Sequence, residues 1–233
     1  MTFIGREKET RKIIRALEHG DNVIVRGIYG IGRSSLVRNV ETSTTEQFRF
    51  LFTDFSMTPG QVCRELLADL FPQKRYRKED LQHCRYKSMR FRIANRELSD
   101  KRRHVIVLDN IGRLTKPRLA LIRYLCWEKR FHFVAVVENF LSDSELLLLR
   151  AELMPAHVLT LSYLTARNTG ELLRRWAEHH RLEWSETRIH HLAEASGGYP
   201  LGLRETIERE LKRRGRANRS KCLKKDELEY DES

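Results

Sequence analysis

The stretch Asn22-Val-Ile-Val-Arg-Gly27-Ile28-Tyr29-Gly30-Ile31-Gly32-Arg33-Ser34-Ser35-Leu36 decides the fold. Its first five residues form a short run rich in β-branched side chains, which reads as a buried strand. Three glycines follow, and then Leu36, Val37 and Val40 recur at helical spacing. Strand, glycine-rich loop and helix in this order fit the pattern G-x-x-x-x-G-K-[ST]. In that pattern backbone N–H groups surround phosphates, the lysine reaches their outer oxygens and the hydroxyl binds magnesium. Gly27, Gly30 and Gly32 supply the backbone freedom and Ser34 the hydroxyl, with Ser35 beside it, but the lysine position holds Arg33. Arginine keeps the charge as a wide planar fork rather than a compact ammonium. Phosphate binding is therefore expected to survive while the geometry for hydrolysis suffers. The competing reading is a glycine-rich turn with no ligand.

Outward from this loop, strand signals recur at residues 48–54, 104–109, 131–137 and 157–161. Helical patterns lie between them: one ending near Gly20, one opened by Thr58-Pro59 and running to Phe71, a long polar helix over 79–98, and two more over 116–127 and 142–153. Strands alternating with helices imply a parallel sheet covered on both faces, because parallel neighbours need crossover connections. The expected architecture is an α/β core of five strands over 1–162. Beyond Thr165 strand signals cease, and helices near 165–181, 185–195 and 199–214 suggest a small helical lid over 163–215. The charged tail over 216–233 lacks apolar periodicity and is expected to be disordered.

The second chemical element is Val105-Ile-Val-Leu-Asp109-Asn110, an apolar strand ending in an acid, as in the Walker B segment of P-loop NTPases. Asp109 is the expected magnesium-holding carboxylate, together with Ser34. A turn or capping role for Asp109 is the plainer alternative. Asn110 follows it and cannot accept a proton from an attacking water. Glu138, just after the fourth strand, is the candidate substitute carboxylate, and Asn139 beside it a candidate sensor of the γ-phosphate; both also suit a turn.

With these motifs in place the chain resembles AAA+ and STAND-type ATPases, particularly the origin-recognition-like and transposition-regulator branches. Phe3-Ile4-Gly5-Arg6-Glu7 is similar to the N-terminal segment that lies along adenine in those proteins. Ser196-Gly-Gly-Tyr-Pro200-Leu-Gly-Leu-Arg204 resembles the lid motif in which a glycine-proline turn opens a helix bearing a sensor arginine, with Arg204 at the matching position. Arg150 matches the region from which such proteins reach a neighbour's nucleotide. The resemblance implies bound ATP or ADP with Mg2+, a homo-oligomer with nucleotide at subunit interfaces, and recruitment of a partner protein such as a recombinase. In the AAA+ pattern the position of Asn110 carries the acid that polarises water. Its replacement, with Arg33, points to slow or absent hydrolysis unless another carboxylate substitutes.

Charge bears on the partner. The formal net charge is +12 over 233 residues, and an excess of this size attracts polyanions. Between Lys74 and Arg103 twelve basic residues face four acidic ones, with Tyr76, Tyr86 and Phe91 interleaved. Sequence-independent binding to duplex DNA is the leading expectation; a solvated basic face is the alternative. Lys212-Arg-Arg-Gly-Arg216 begins a second basic cluster. Cys63, Cys84, Cys126 and Cys222 lack metal-site spacing and are expected as reduced thiols. No apolar run is long enough for a membrane span, and the N-terminus lacks a secretory layout, so the expected location is the cytoplasm. Two other functions compete with a DNA-binding switch: a STAND-like signalling or scaffold module with a structural nucleotide, and an active ATPase using a substitute carboxylate.

Overall fold

The computed structural model describes residues 4–72 and 84–212. Its elements alternate as expected for a parallel sheet: α1 (Glu7–His19), β1 (Asn22–Gly27), α2 (Arg33–Ser43), β2 (Phe48–Asp54), α3 (Pro59–Leu70), α4 (Tyr86–Asn95), β3 (Arg103–Ile111), α5 (Lys116–Trp127), β4 (Phe131–Glu138), α6 (Asp143–Glu152) and β5 (Ala156–Thr160). The five strands are parallel, in the order β2-β3-β4-β1-β5. Two compact units divide after Ser162.

Alternation along the strands sorts side chains onto two faces. Val23, Val25, Phe48, Phe50, Val105, Val107, Val134 and Val136 pack with Ile13 and Leu17 of α1 and Leu36, Val37 and Val40 of α2. Ile24, Leu51, Ile106, Leu108, Phe133 and Ala135 pack on the opposite face with Leu66 and Leu67 of α3, Ile93 of α4, Leu121 of α5 and Leu149 of α6. Burial on both faces explains why the inner strands read as nearly unbroken apolar runs.

Local chemistry sets the helix starts. Thr58 and Ser142 each form a reciprocal capping box, with Gln61 and Glu145, and Pro59 occupies the first turn of α3. Glu145 also accepts the Leu114 N–H at 3.0 Å, and that bond leads the effects holding its carboxyl below the usual range.

The long polar helix expected over 79–98 is shorter. Residues 79–83 lie outside the described set, Arg85 is extended, and α4 runs only from Tyr86 to Asn95. Arg130 explains the early stop: its guanidinium donates to the carbonyls of Ala94 and, at 2.7 Å, Arg96, which satisfies terminal groups that a continuing helix would have used.

The second unit holds α7 (Ala166–His179), α8 (Glu186–Ser196) and α9 (residues 200–212), packed around Leu164, Leu173, Ile189, Leu203 and Ile207. Gly198, at φ +76°, lets the chain approach so closely that a Cβ would lie 2.1 Å from the Leu164 carbonyl oxygen. The charged tail expected over 216–233 lies outside the described residues. None of the described helices is long and apolar enough to cross a membrane. Cys63, Cys84 and Cys126 form no disulfide among the described residues, and burial pushes Cys63 and Cys126 up to about 12.

His104 on β3 and His132 on β4 sit within the sheet. Burial leads the effects lowering both below the ordinary value of 6.5, and His104 Nε2 is buried without a hydrogen-bond partner. Because the folded state disfavours the charged forms, their contribution to stability is complete above about pH 6.5 and is lost as pH falls through the lowered folded values. Urea denaturation between pH 7.5 and 5 should show this fall, and His104→Leu should flatten it.

Candidate functional site

The site forms where β1, β3 and β4 end on the side of the sheet covered by α2. Gly30 and Gly32 both adopt left-handed φ, of 73° and 93°, a backbone state that glycine enters without steric cost. Gly32 is the N-cap of α2 and offers no side chain. The first intrahelical bond runs from Leu36 N to Gly32 O at 2.9 Å, so the N–H groups of Arg33, Ser34 and Ser35 have no acceptor within the helix. Helix-end donors and the positive end of the helix dipole together suit an anion. Around them Ile31 is buried in the core, Ile28 is partly buried and Tyr29 is 70% exposed.

Ser34 and Asp109 meet. The Ser34 hydroxyl donates to Asp109 Oδ1 at 2.9 Å, so a hydroxyl from the loop and a carboxylate from β3 converge. This is a hard oxygen pair, the donor chemistry magnesium prefers, and magnesium is commonly held by one or two carboxylates with phosphates and water completing its shell. No three His, Cys, Asp or Glu side chains among the described residues form a self-sufficient metal cage. The donor chemistry of Ser34 and Asp109 would suit a magnesium ion.

Arg33 does not extend outward as the usual lysine would. Its side chain is 8% exposed, and Nη1 donates to the carbonyls of Gly27 and, at 2.8 Å, Val137. Nη2 pairs with Glu138 Oε1 at 3.2 Å, and Glu138 is itself only 19% exposed. Strand β4 lies between β1 and β3, which brings Glu138 to the site, but the carboxylate is engaged by Arg33. Asn139 sits on an exposed turn closed by Leu141 N to Glu138 O.

Asn110 has φ 59° at an irregularity in the pairing of β3 with β4. Asparagine is among the few residues other than glycine that tolerate this region, so Asn110 serves the backbone here. Its N–H donates to Asp109 Oδ1 at 2.9 Å and its side-chain amide to Asp54 Oδ1 at 3.4 Å. Asp54 ends β2 in register with Asp109. Hydrogen bonds from Ser56, with the Asn110 amide adding to them, hold its carboxyl below the usual range. The sequence reading passed over Asp54, although the pattern was present: like Asp109, it is an acid at the end of an apolar strand.

Phe3 lies outside the described residues. Ile4 is buried, Gly5 N donates to Glu7 Oε1, and Arg6 is buried with Nη2 donating to Ser162 O at 2.5 Å and Ile31 O at 3.5 Å. Segment 4–6 is thus fastened to the phosphate loop, with the Arg6 guanidinium shared between these carbonyls and Glu9 Oε1, at 3.2 Å. Arg150 is exposed on the last turn of α6. In the second unit Pro200 opens α9 and Arg204 is exposed, pairing with Glu208 at 2.8 Å.

This geometry is that of a nucleotide-binding P-loop. A family model of the AAA domain matches residues 15–143, more than half of the chain, and the chain belongs to that family. Within it, the loop, the sheet order and the end-of-strand acid define an AAA+ P-loop ATPase fold. A Walker-type ATPase of Pyrococcus abyssi superposes with a TM-score of 0.61 at 15% identity, over 99% of this chain and 77% of that one. The RuvB Holliday junction branch migration motor of Thermotoga maritima gives 0.57 at 19% identity, over 89% of this chain and 62% of that one. This chain therefore spans less than two thirds of the RuvB chain. The Orc1 protein of Aeropyrum pernix, solved in complex with DNA, gives 0.53 at 15% identity, over 90% and 67% respectively. Identities this low carry the fold alone. No curated protein matches the sequence.

Removing the Arg33 side chain would strand Glu138 and two carbonyls in a largely buried setting. Arg33→Ala is expected to cost about 3 kcal/mol of folding stability in nucleotide-free protein, and Arg33→Ala with Glu138→Ala less than the sum of the single changes. Urea denaturation of the four proteins tests this; an Arg33→Ala protein as stable as the parent would mean the guanidinium is not a strut.

Proposed function

We propose that this chain is an ATP-binding AAA+ switch that assembles on duplex DNA when nucleotide and Mg2+ are bound, with slow hydrolysis. The observation that carries the reading is the Ser34–Asp109 contact at the N-terminus of α2, which joins an anion site to an oxygen pair suited to magnesium. The backbone N–H groups of residues 33–35 would hold phosphate oxygens, and Ser34 and Asp109 would hold a divalent cation, which would supply neutralising charge there. Two features support slow turnover: Asn110 lacks a proton-accepting group, and Glu138 is paired with Arg33.

The DNA-facing surface in this reading is the outer side of α4. Arg85, Lys87 and Arg92 are exposed there, with Phe91 60% exposed among them. Tyr86, by contrast, packs partly inward and lies 5.5 Å from Arg90, which also covers Tyr124 at 4.4 Å. Tyr76 and the basic residues at 74–78 lie outside the described residues. The basic outer side suits phosphate, and exposed Phe91 suits contact with sugar or an unstacked base. The structural likeness to Orc1, which was solved with DNA, fits this reading. Exposed Arg150, at the end of α6, is the candidate contact with a neighbouring subunit's nucleotide. Recruitment of a recombinase-like partner, as in transposition regulators, is the further role that such an assembly would serve.

Binding to a fluorescent duplex should strengthen with ATP and Mg2+ and weaken steeply with salt. Replacing Arg85, Lys87 and Arg92 together by Ala should lower affinity for all sequences alike and reduce the log–log salt slope by up to about 3. Indifference to duplex DNA at low salt, with or without nucleotide, would remove the reading. In sedimentation with ATP and Mg2+, an Arg150→Ala protein is expected to bind nucleotide as the parent does yet remain unassembled; parental assembly would rule out Arg150 as the intersubunit contact.

A further inference from the structure

We infer that Asp54, at the end of β2, is the carboxylate that activates water against the γ-phosphate in this protein, a role the residue after Asp109 cannot fill. The inference rests on the nucleotide-binding reading above and names the group that its slow hydrolysis uses. Water attack on a phosphoryl group is assisted by an ionised carboxylate that orients the water and takes its proton. Three carboxylates end strands on the α2 side of the sheet. Glu138 is held by the Arg33 guanidinium. Asp109 accepts both the Ser34 hydroxyl and the Asn110 N–H on the same oxygen and belongs to the cation. Asp54 remains.

Its placement follows from strand parity. Phe48 and Phe50 pack in the layer formed with α1 and α2, Phe52 lies against that layer, and Asp54 is the next residue of the same alternating set. Val105, Val107 and Asp109 form the corresponding set on β3. Asp54 and Asp109 are direct register partners, so they stand about 4.8 Å apart across neighbouring strands, on the face that carries Ser34. Phe55 N donates to Asp109 O at 2.7 Å, extending the strand pairing past Asp54 and fixing the two ends together. Both acids border one cleft of ≈ 470 Å3, shared with Arg38, Phe52, Glu65, Asp69 and Asn110, which leaves room for water beside Asp54.

Asn110 supports the same acid. Its amide donates to Asp54 rather than accepting from anything in the cleft, so it positions the neighbouring acid. A carboxylate has about four acceptor sites. The donors on Asp54 are Ser56, through its N–H and hydroxyl, and Asn110, so capacity for a water remains. In the step itself, the water oxygen bonds to the γ-phosphorus and its proton passes to Asp54. The bond from that phosphorus to the β,γ-bridging oxygen breaks, and the electron pair leaves with ADP. The proton returns to solvent, giving ADP and inorganic phosphate.

The test uses the full chain in excess over radiolabelled ATP with Mg2+, followed for hours, alongside equilibrium binding of a fluorescent non-hydrolysable ATP analogue. The parent should release phosphate slowly. Asp54→Asn should cut the rate about 100-fold with analogue affinity within about twofold, Asp54→Glu should restore part of the rate, and Glu46→Gln, exposed and outside the cleft, should behave as the parent. Parental hydrolysis by Asp54→Asn overturns the assignment, as does a parent that binds the analogue yet releases no phosphate. A parent that fails to bind the analogue defeats the nucleotide reading itself, and this assignment with it, in the binding arm alone.

Discussion

The buried guanidinium of Arg33 is the interaction on which the phosphate loop depends. It donates to the carbonyl of Gly27, where β1 ends, to that of Val137, where β4 ends, and to the carboxylate of Glu138. A loop built from glycines has a large conformational entropy to lose, and one planar cation bonded to two strands offsets part of that loss. Lysine, with a compact head on a flexible stem, would not bridge the same three acceptors with fixed geometry. The substitution that looked in the sequence like a weakened phosphate ligand is, in the fold, a brace beneath the loop.

Several other arginines act in the same way. Arg6 fastens the N-terminal segment to Ser162 and Ile31. Arg103 donates to the end of α1 at Leu17 and Glu18 and lies over Phe48. Arg118 binds the carbonyls of Arg113, Ser56 and Met57, and Arg130 ends α4. Main-chain carbonyls at element ends need donors, and arginine carries five in a rigid fork. The charge excess is real, yet many of these guanidinium groups are committed inside the protein. Net charge therefore overstates the positive charge that faces outward, as some does on α4.

The hydrolytic positions show a comparable redistribution. Asn110 occupies a left-handed backbone position that asparagine tolerates, and its amide turns toward Asp54. The acids at neighbouring strand ends are differently engaged: Glu138 balances the brace, Asp109 meets the loop hydroxyl, and Asp54 borders the open cleft.

Much of the fold was legible in the residues alone. Strand order aside, the alternation of apolar runs and amphipathic stretches specified five strands and their crossovers, because parallel strands require them. The glycine spacing and the end-of-strand Asp109 located the loop and its acid, since those roles depend on local backbone freedom and on strand ends. The fate of the long side chains was not legible. Whether Arg33 points to a phosphate or to Glu138, whether Tyr86 faces inward while Phe91 faces outward, and whether Asp54 stands beside Asp109 all depend on which strands are neighbours, and register is set by packing of the whole sheet. The sequence by itself determined a phosphate loop in a parallel α/β sheet. Only the tertiary structure decided which charges oppose one another across it, because those contacts join residues distant in the chain, as Arg33 and Glu138 are, 105 positions apart.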